Sequence, residues 1–353
     1  MTHIADRKSR HLLRLARRRN PDALIIATGC YAERAPEELA HIPEVDIVLG
    51  NDEKARLIEV LEERGVISTN SAVCPPMLRT RSLVEVQEGC NQFCSYCIVP
   101  LIRGRERSLA LDEVLDEVSA RVEMGYQEVV LTGTQIGAYR PSLELLIQRI
   151  LAETGVRRLR LSSLQPQDIT TGLLALWQDE KLCPHLHLPL QSGSDSVLWR
   201  MRRRYSVADY ERAVAMVREA IPDVAITADI MVGFPGESDE EFEESFRFCQ
   251  RMGFANIHVF PFSERPGTLA ALMPEKVEYR VKKERSQRML KLARESSLRF
   301  REKFLGRTMT VLWEQGVDGV WVGLTDNYIR VFASSNEPLK NRLTATRLEG
   351  CHI

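Results

Sequence analysis

Three cysteines within eight residues are the most reactive arrangement in the chain, in the run Glu88-Gly89-Cys90-Asn91-Gln92-Phe93-Cys94-Ser95-Tyr96-Cys97. Thiolates at C-x3-C-x2-C spacing can each hold one iron of a 4Fe-4S cubane, which leaves the fourth iron without a protein ligand. The amino and carboxylate groups of S-adenosylmethionine (SAM) can chelate that open iron, and an electron from the reduced cluster can then break a carbon–sulfur bond of SAM. Zinc is the competing reading, because Cys94 and Cys97 alone are half of a structural zinc set. The other half is not evident: Cys183, His185 and His187 alternate along a strand and spread over one sheet face instead of forming a knuckle.

Three further segments fit a SAM pocket beside the cysteine loop. Leu131-Thr132-Gly133 ends one apolar run, His187-Leu188-Pro189-Leu190-Gln191-Ser192-Gly193 follows another, and Asp229 to Glu237 closes a third. A glycine there lets a ligand approach the backbone, although glycine after a strand is also a common turn residue. Gly133, Gln191 and Asp229 are the candidate cofactor-binding residues of these segments. Arg200, Arg202, Arg203 and Arg204 follow the Gln191 loop and read either as a solvated helix end or as a grip on RNA phosphate or the SAM carboxylate.

The elements that must position these residues alternate in type. Strand runs at Leu83 to Val86, Glu128 to Leu131, Arg158 to Ser162, Leu186 to Leu190, Val224 to Val232 and Asn256 to Phe260 are separated by helical stretches at Leu109 to Met124, Ser142 to Ala152, Val207 to Ala220 and Asp239 to Met252. Six such units predict a parallel, barrel-like α/β sheet with its site at the carboxyl ends of the strands.

Ahead of it, a basic helix (Arg7, Lys8, Arg10, Arg14, Arg17, Arg18, Arg19) ends at Asn20-Pro21, and a short βα alternation runs from Ala23 to Glu63. Residues 276 to 303 read as a long charged helix. After it, Thr308 to Trp313, Gly319 to Leu324 and Tyr328 to Ala333 read as short strands separated by turn residues Gly316, Asp318 and Asp326-Asn327.

Composition bounds the function without naming it. Of 353 residues, 44% are hydrophobic and 27% charged, with a net charge of -1, so a polyanion must be met by local patches instead of an overall charge. No run approaches the roughly 20 apolar residues of a membrane span, and clustered cysteines without a secretion signal favour metal binding over disulfides. The sequence reads as cytoplasmic, with no membrane partner.

These motifs resemble the radical-SAM methylthiotransferases, over nearly the whole chain. Thr28-Gly29-Cys30-Tyr31-Ala32 looks like the end of that family's amino-terminal cluster domain, Glu88 to Cys97 like its radical-SAM motif, and the β-rich tail like its RNA-binding TRAM domain. The implied organisation is a partial amino-terminal domain over 1–67, a linker over 68–80, a radical-SAM partial (β/α)6 barrel over 81–303 and a small all-β TRAM-like domain over 304–353.

Within the family, Ala5 to Arg10, Arg160 to Leu164 and Thr132 to Gln135 look most like the branch that methylthiolates carbon two of threonylcarbamoyladenosine beside the tRNA anticodon. Methylthiolation of isopentenyladenosine in tRNA, or of a ribosomal-protein aspartate, fits the same domains. The different-class alternative is a non-catalytic RNA-binding or zinc protein.

The resemblance implies SAM at a 4Fe-4S cluster on Cys90, Cys94 and Cys97, with Tyr96 near the SAM adenine, and no further catalytic side chain. It also implies a second 4Fe-4S cluster with Cys30 as a ligand, the tRNA anticodon loop as partner, a reductant such as flavodoxin or ferredoxin, and a sulfur donor. Family members carry two more cysteines upstream of Cys30, and Met1-Thr2 stands where they read Cys-Thr-Val-Thr. The expectation is a natural protein longer than this chain, and impaired sulfur insertion in the shortened form. Cys74, Cys183, Cys249 and Cys351 match no family ligand, and Trp313, Trp321, Tyr328, Arg330 and Arg342 are candidates for RNA contact.

Overall fold

A computed structural model describes residues 3–67 and 79–350, so most of the expected linker, together with Cys74 and Cys351, lies outside the described residues. The chain divides into two compact units. The smaller takes in the chain up to Pro76 together with Ser95–Arg105 and Ser263–Leu272; the larger holds Met77–Cys94, Glu106–Phe262 and Met273–Ile353.

In the smaller unit, the basic helix His3–Arg19 precedes two short parallel strands, β1 (Ile26–Thr28) and β2 (Ile47–Leu49), paired Ile26 to Ile47. Between them stand helices Cys30–Arg34 and Pro36–Ala40, the latter opened by a proline whose fixed φ suits a first helical turn. The last segment of the βα alternation starts as a 3-10 turn, Lys54–Arg56, and becomes α-helical over Leu57–Glu63. Its core is small: Ala27, Tyr31, Ala32, Leu39 and Ile42. Arg17 is held internally by Asp46 at 2.6 Å and Arg10 by Glu38 at 2.7 Å, whereas Arg7, Lys8, Arg14, Arg18 and Arg19 remain exposed.

The larger unit carries the expected parallel sheet. Its strands are β3 (Arg81–Glu88), the two-residue antiparallel β4 (Arg107–Ser108), β5 (Glu128–Gly133), β6 (Arg158–Leu161), β7 (His185–His187), β8 (Ala225–Val232) and β9 (Asn256–Pro261). β3, β5 and β6 pair in parallel, as do β7, β8 and β9. Parallel bridges Leu159 to Leu182 and Ser163 to His187 carry the sheet from β6 to β7, giving a curled half barrel in chain order.

β6 is buried at every position and central β8 at all but two, as befits strands covered by helices on one side and wrapped around an interior on the other. The covering helices begin where the sequence offers caps. The Ser206 and Ser238 side chains each accept from the third helical residue, and Asp209 and Glu241 reach back to them. Helix Asp239–Met252 ends at Gly253, at φ 56°, the left-handed conformation glycine adopts without strain. Strand and helix faces meet in one large apolar core.

After the helix Tyr279–Glu302 comes an antiparallel sheet of β10 (Thr308–Val317), β11 (Val320–Thr325), β12 (Arg330–Ser334) and β13 (Leu343–Arg347), in the order β12-β11-β10-β13. The sequence reading missed β13 and ended β10 too early. Gly316, read as a turn residue, lies inside β10: a Cβ there would sit 2.7 Å from the Trp321 ring, so the glycine makes room for a cross-strand indole. Trp313 is in the core of this sheet, 1% exposed, with its Nε1 donating to Thr344 Oγ1 at 2.8 Å, so it is withdrawn from any RNA surface.

Candidate active site

The cysteine loop leaves the carboxyl end of β3, where the sequence placed it, and the surrounding side chains explain its curl. Buried Gln87 donates through Nε2 to the carbonyls of Glu88 (2.8 Å) and Gly89 (2.9 Å), and its Oε1 accepts from the backbone of Gln135 at 2.7 Å. Glu106 receives both the backbone N–H and the side-chain amide of Asn91, at 3.0 and 3.1 Å. Gly89 and Phe93 have φ of 74° and 52°; for Phe93 that is a strained conformation, held by its surroundings at a cost on the order of 1–3 kcal/mol. Sequence reasoning missed Gln87 and Glu106, since a polar residue before or after a loop carries no spacing signal.

Cys90 and Cys94 belong to the larger unit and Cys97 to the smaller. All three are half-buried and none forms a disulfide. The Cys90 thiol donates to Gln135 Oε1 at 3.6 Å, and the Gln92 backbone donates to its sulfur at 3.4 Å. Arg203 donates from Nη1 to Cys94 Sγ at 3.4 Å, from Nη2 to Gln165 and from Nε to the Tyr205 hydroxyl; Arg204 holds the Asn91 carbonyl at 3.0 Å. Within the arginine group roles therefore divide. Arg203 and Arg204 brace the cysteine loop, Arg200 is paired to Glu241 at 2.6 Å, and Arg202 points outward. In the smaller unit Cys30 opens its helix, and Arg103 Nη2 lies 3.7 Å from its sulfur.

Of the other anticipated residues only Gly133 ends a strand: Tyr96 lies in the cysteine loop, Gln191 beyond β7, and Asp229 within β8 instead of after it. Tyr96 is buried at 9% exposure. Gly133 ends β5, and a Cβ there would stand 2.6 Å from the Gln87 carbonyl oxygen, so β3 alone accounts for the glycine. Gln191 sits at φ 68° in a parallel bridge with Ile230. Asp229 Oδ1 lies 3.3 Å from His187 Nε2 on the inner face of the sheet, where ligand atoms of His187, Asp229 and His258 all come within 4.8 Å of one another. Cys183 and Cys249 are buried, and desolvation pushes both thiols up, as suits inert core cysteines.

A cavity of about 750 Å³ runs along this inner face. At the amino ends of the strands its floor is ionic: Glu128, fully buried, accepts from Arg160 Nε at 2.8 Å and pairs with Arg158 Nε at 3.2 Å. Burial works to raise the Glu128 pKa, but the two guanidiniums outweigh it and hold the carboxyl below its usual range. The β tail closes the floor. Arg160 also donates to the Asp326 carbonyl at 2.8 Å, and the Tyr328 ring lies 4.7 Å from that guanidinium and stacks on His185 at 4.6 Å. Tyr328 thus packs its ring on the barrel while 41% of its surface stays exposed.

Residues 84–249 match the Radical SAM superfamily. The chain is 35% identical to the threonylcarbamoyladenosine tRNA methylthiotransferase MtaB of Bacillus subtilis, over 99% of this chain and 83% of that one. The chain belongs to the radical-SAM methylthiotransferases. The enzyme is 37% identical to the protein of the same name from Aquifex aeolicus, over 92% and 83% of the two chains. It is 34% identical to the tRNA-2-methylthio-N(6)-dimethylallyladenosine synthase of Acetivibrio thermocellus, over 96% and 76%. Among solved structures, the cobalamin-dependent SAM radical enzyme OxsB superposes with a TM-score of 0.50 at 12% identity, covering 92% of this chain and 53% of that one, a likeness of fold.

A 4Fe-4S cluster and SAM are therefore this methylthiotransferase's cofactors. In the larger unit Cys90 and Cys94 suit such a cluster: both are half-buried thiols without disulfides, and Cys94 already receives a guanidinium N–H, the kind of outer contact that orients and tunes a sulfur ligand.

Proposed function

We propose that this methylthiotransferase acts on tRNA, at carbon two of the adenine of threonylcarbamoyladenosine beside the anticodon. The observation that carries the reading is the agreement of relatives bearing that substrate's name, at 35% and 37% identity over 99% and 92% of the chain.

In this reading Cys90, Cys94 and Cys97 hold the SAM-binding cluster, and Tyr96, Gly133, Gln191 and Asp229 border the SAM pocket. The bound group supplies one-electron cleavage of SAM. The chain's own residues do the positioning. Gln87 and Glu106 fix the loop that presents the thiols, and Arg203 offsets thiolate charge at Cys94. Arg204 ties the loop to the segment after the Gln191 turn. Cys30 is assigned to the second cluster typical of the family, and a reductant and a sulfur donor are the remaining partners.

Mass spectrometry of tRNA nucleosides from cells with and without the gene tests this. Loss of the 2-methylthio derivative of threonylcarbamoyladenosine, with its precursor accumulating, is the expected result. Loss of methylthio-dimethylallyladenosine instead would move the assignment to the substrate named for the Acetivibrio relative. Unchanged nucleosides would exclude tRNA and turn attention to the ribosomal protein.

A further inference from the structure

The cavity on the inner face of the half barrel is lined by several arginines. Arg81, Arg160, Arg301 and Arg330 line it with three histidines, and Asp229 is its only carboxylate among the described residues. Adding the groups paired to its wall brings in Arg158, Glu128 and Glu314, so five arginines face three carboxylates. His185 registers the resulting field. Burial, then Arg160, His187, His258 and Arg81, all push its pKa well below the usual value, so its ring is neutral.

Two polar atoms of the wall have no hydrogen-bond partner: Nδ1 of His185, a residue 7% exposed, and Oγ of Ser162. Orphaned buried polar atoms are costly, and both of these belong to residues that line the cavity. The Thr227 hydroxyl lies 2.8 Å from His187 Nδ1 and 3.4 Å from His185 Nε2. One hydroxyl proton can serve only one ring. Which ring it serves sets whether the proton of neutral His185 sits on Nδ1 or on Nε2. Arg81 uses Nε on Glu314 and Nη1 on the Tyr328 hydroxyl, and its Nη2 has no partner among the described residues.

We infer that this cavity is the subsite for the amino-acid part of the substrate's N6 substituent: its carboxylate lies among Arg81, His185 and His258, and its hydroxyl meets Ser162. The inference rests on the threonylcarbamoyladenosine reading and gives it a structural basis for specificity. An aliphatic substituent of similar size would leave the same cations and orphaned atoms unmatched, and sites built to hydrogen-bond reject analogues lacking the polar groups.

The test is binding of dye-labelled anticodon stem-loop RNA to the purified full chain by fluorescence anisotropy, with four residues at the target position: threonylcarbamoyladenosine, its uncharged threonyl methyl ester, dimethylallyladenosine and unmodified adenosine. The acid is expected to bind about tenfold to a hundredfold tighter than the ester. His258→Leu, at an exposed ring, and Ser162→Ala, a single-atom deletion, should each shrink that ratio while leaving the unmodified stem-loop unchanged. Equal binding of acid and ester by the wild-type chain, a ratio that survives both substitutions, or tighter binding of the dimethylallyl RNA overturns the subsite. The two readings fail separately. Nucleoside analysis showing threonylcarbamoyladenosine methylthiolated, with no acid-over-ester preference, removes the subsite alone; a preference lost in the variants, without that modification in cells, removes the substrate assignment alone.

Discussion

The two ends of the half barrel are built from the same strands by opposite means. At the carboxyl ends, chemistry stands on a curled loop held by hydrogen bonds from Gln87, Glu106, Arg203 and Arg204. At the amino ends, Glu128, Arg158, Arg160 and His185 form a buried polar floor capped by Tyr328 from the β tail. The first end can lose a side chain and still fold, because its ligand residues lie outside the apolar core. The second cannot lose one charge without stranding another in low dielectric.

That contrast predicts opposite effects of single substitutions. Cys94→Ala should bring bound iron after anaerobic reconstitution from a full cluster's content close to zero, with urea unfolding of the unreconstituted chain changed by less than about 0.5 kcal/mol. Glu128→Gln should do the reverse: it should lower stability by about 3–5 kcal/mol, because two guanidiniums lose their counter-ion, while the folded fraction still binds iron. If Glu128→Gln costs no more than a surface change, the floor is not an interdependent ionic cluster and the comparison fails.

The cap sharpens the same point at smaller scale. Tyr328→Ala removes a ring stacked on His185 and placed over Arg160 and Arg81, at 4.7 and 5.5 Å. A loss of roughly 1–2 kcal/mol in urea unfolding is expected from such contacts, whereas Tyr328→Phe, which loses only the hydroxyl bond from Arg81, should cost about half as much. Equal losses for both would assign the effect to the hydroxyl instead of the ring.

The ends also differ in how far the sequence reveals them. Cys90, Cys94 and Cys97 announce themselves because ligand chemistry imposes a spacing within one loop, and the six strands do so because burial imposes runs of Val, Ile and Leu. Glu128, Arg158 and Arg160 open two strands and look like solvated charges until the fold brings them together. The partners that bury them, the Leu324 and Asp326 carbonyls, lie 166 positions along the chain. The place of the Tyr328 ring on Arg160 and His185 is hidden for the same reason. Strand β13 escaped because Leu343-Thr-Ala-Thr-Arg has neither a long apolar run nor a turn dipeptide, and it is a strand because it pairs with β10. Asp229 and His187 both fall in segments read as candidate pocket lining, but their pairing was not legible: it forms only through parallel registration of β7 with β8.

A small effect that depends on pH is expected at the carboxyl end, in the Arg200–Glu241 pair. Burial works to raise the Glu241 pKa, but hydrogen bonds from Arg200, Ser196 and the Ser238 backbone prevail and bring it to about 2. A carboxyl whose folded pKa lies below its unfolded value, ordinarily near 4.3, adds stability that is complete above that unfolded value and disappears as pH falls toward about 2. The pair is partly solvated, so its contribution is on the order of 1 kcal/mol. Arg200→Met should therefore cost about that much in urea unfolding at pH 7 and clearly less at pH 3. The gap should not close entirely, because Arg200 also donates to the Gly236 carbonyl at 3.2 Å, a bond that does not titrate. A gap of the same size at both pH values would mean that the arginine acts only through the backbone bond. The carboxyl end would then be held together without help from its charges.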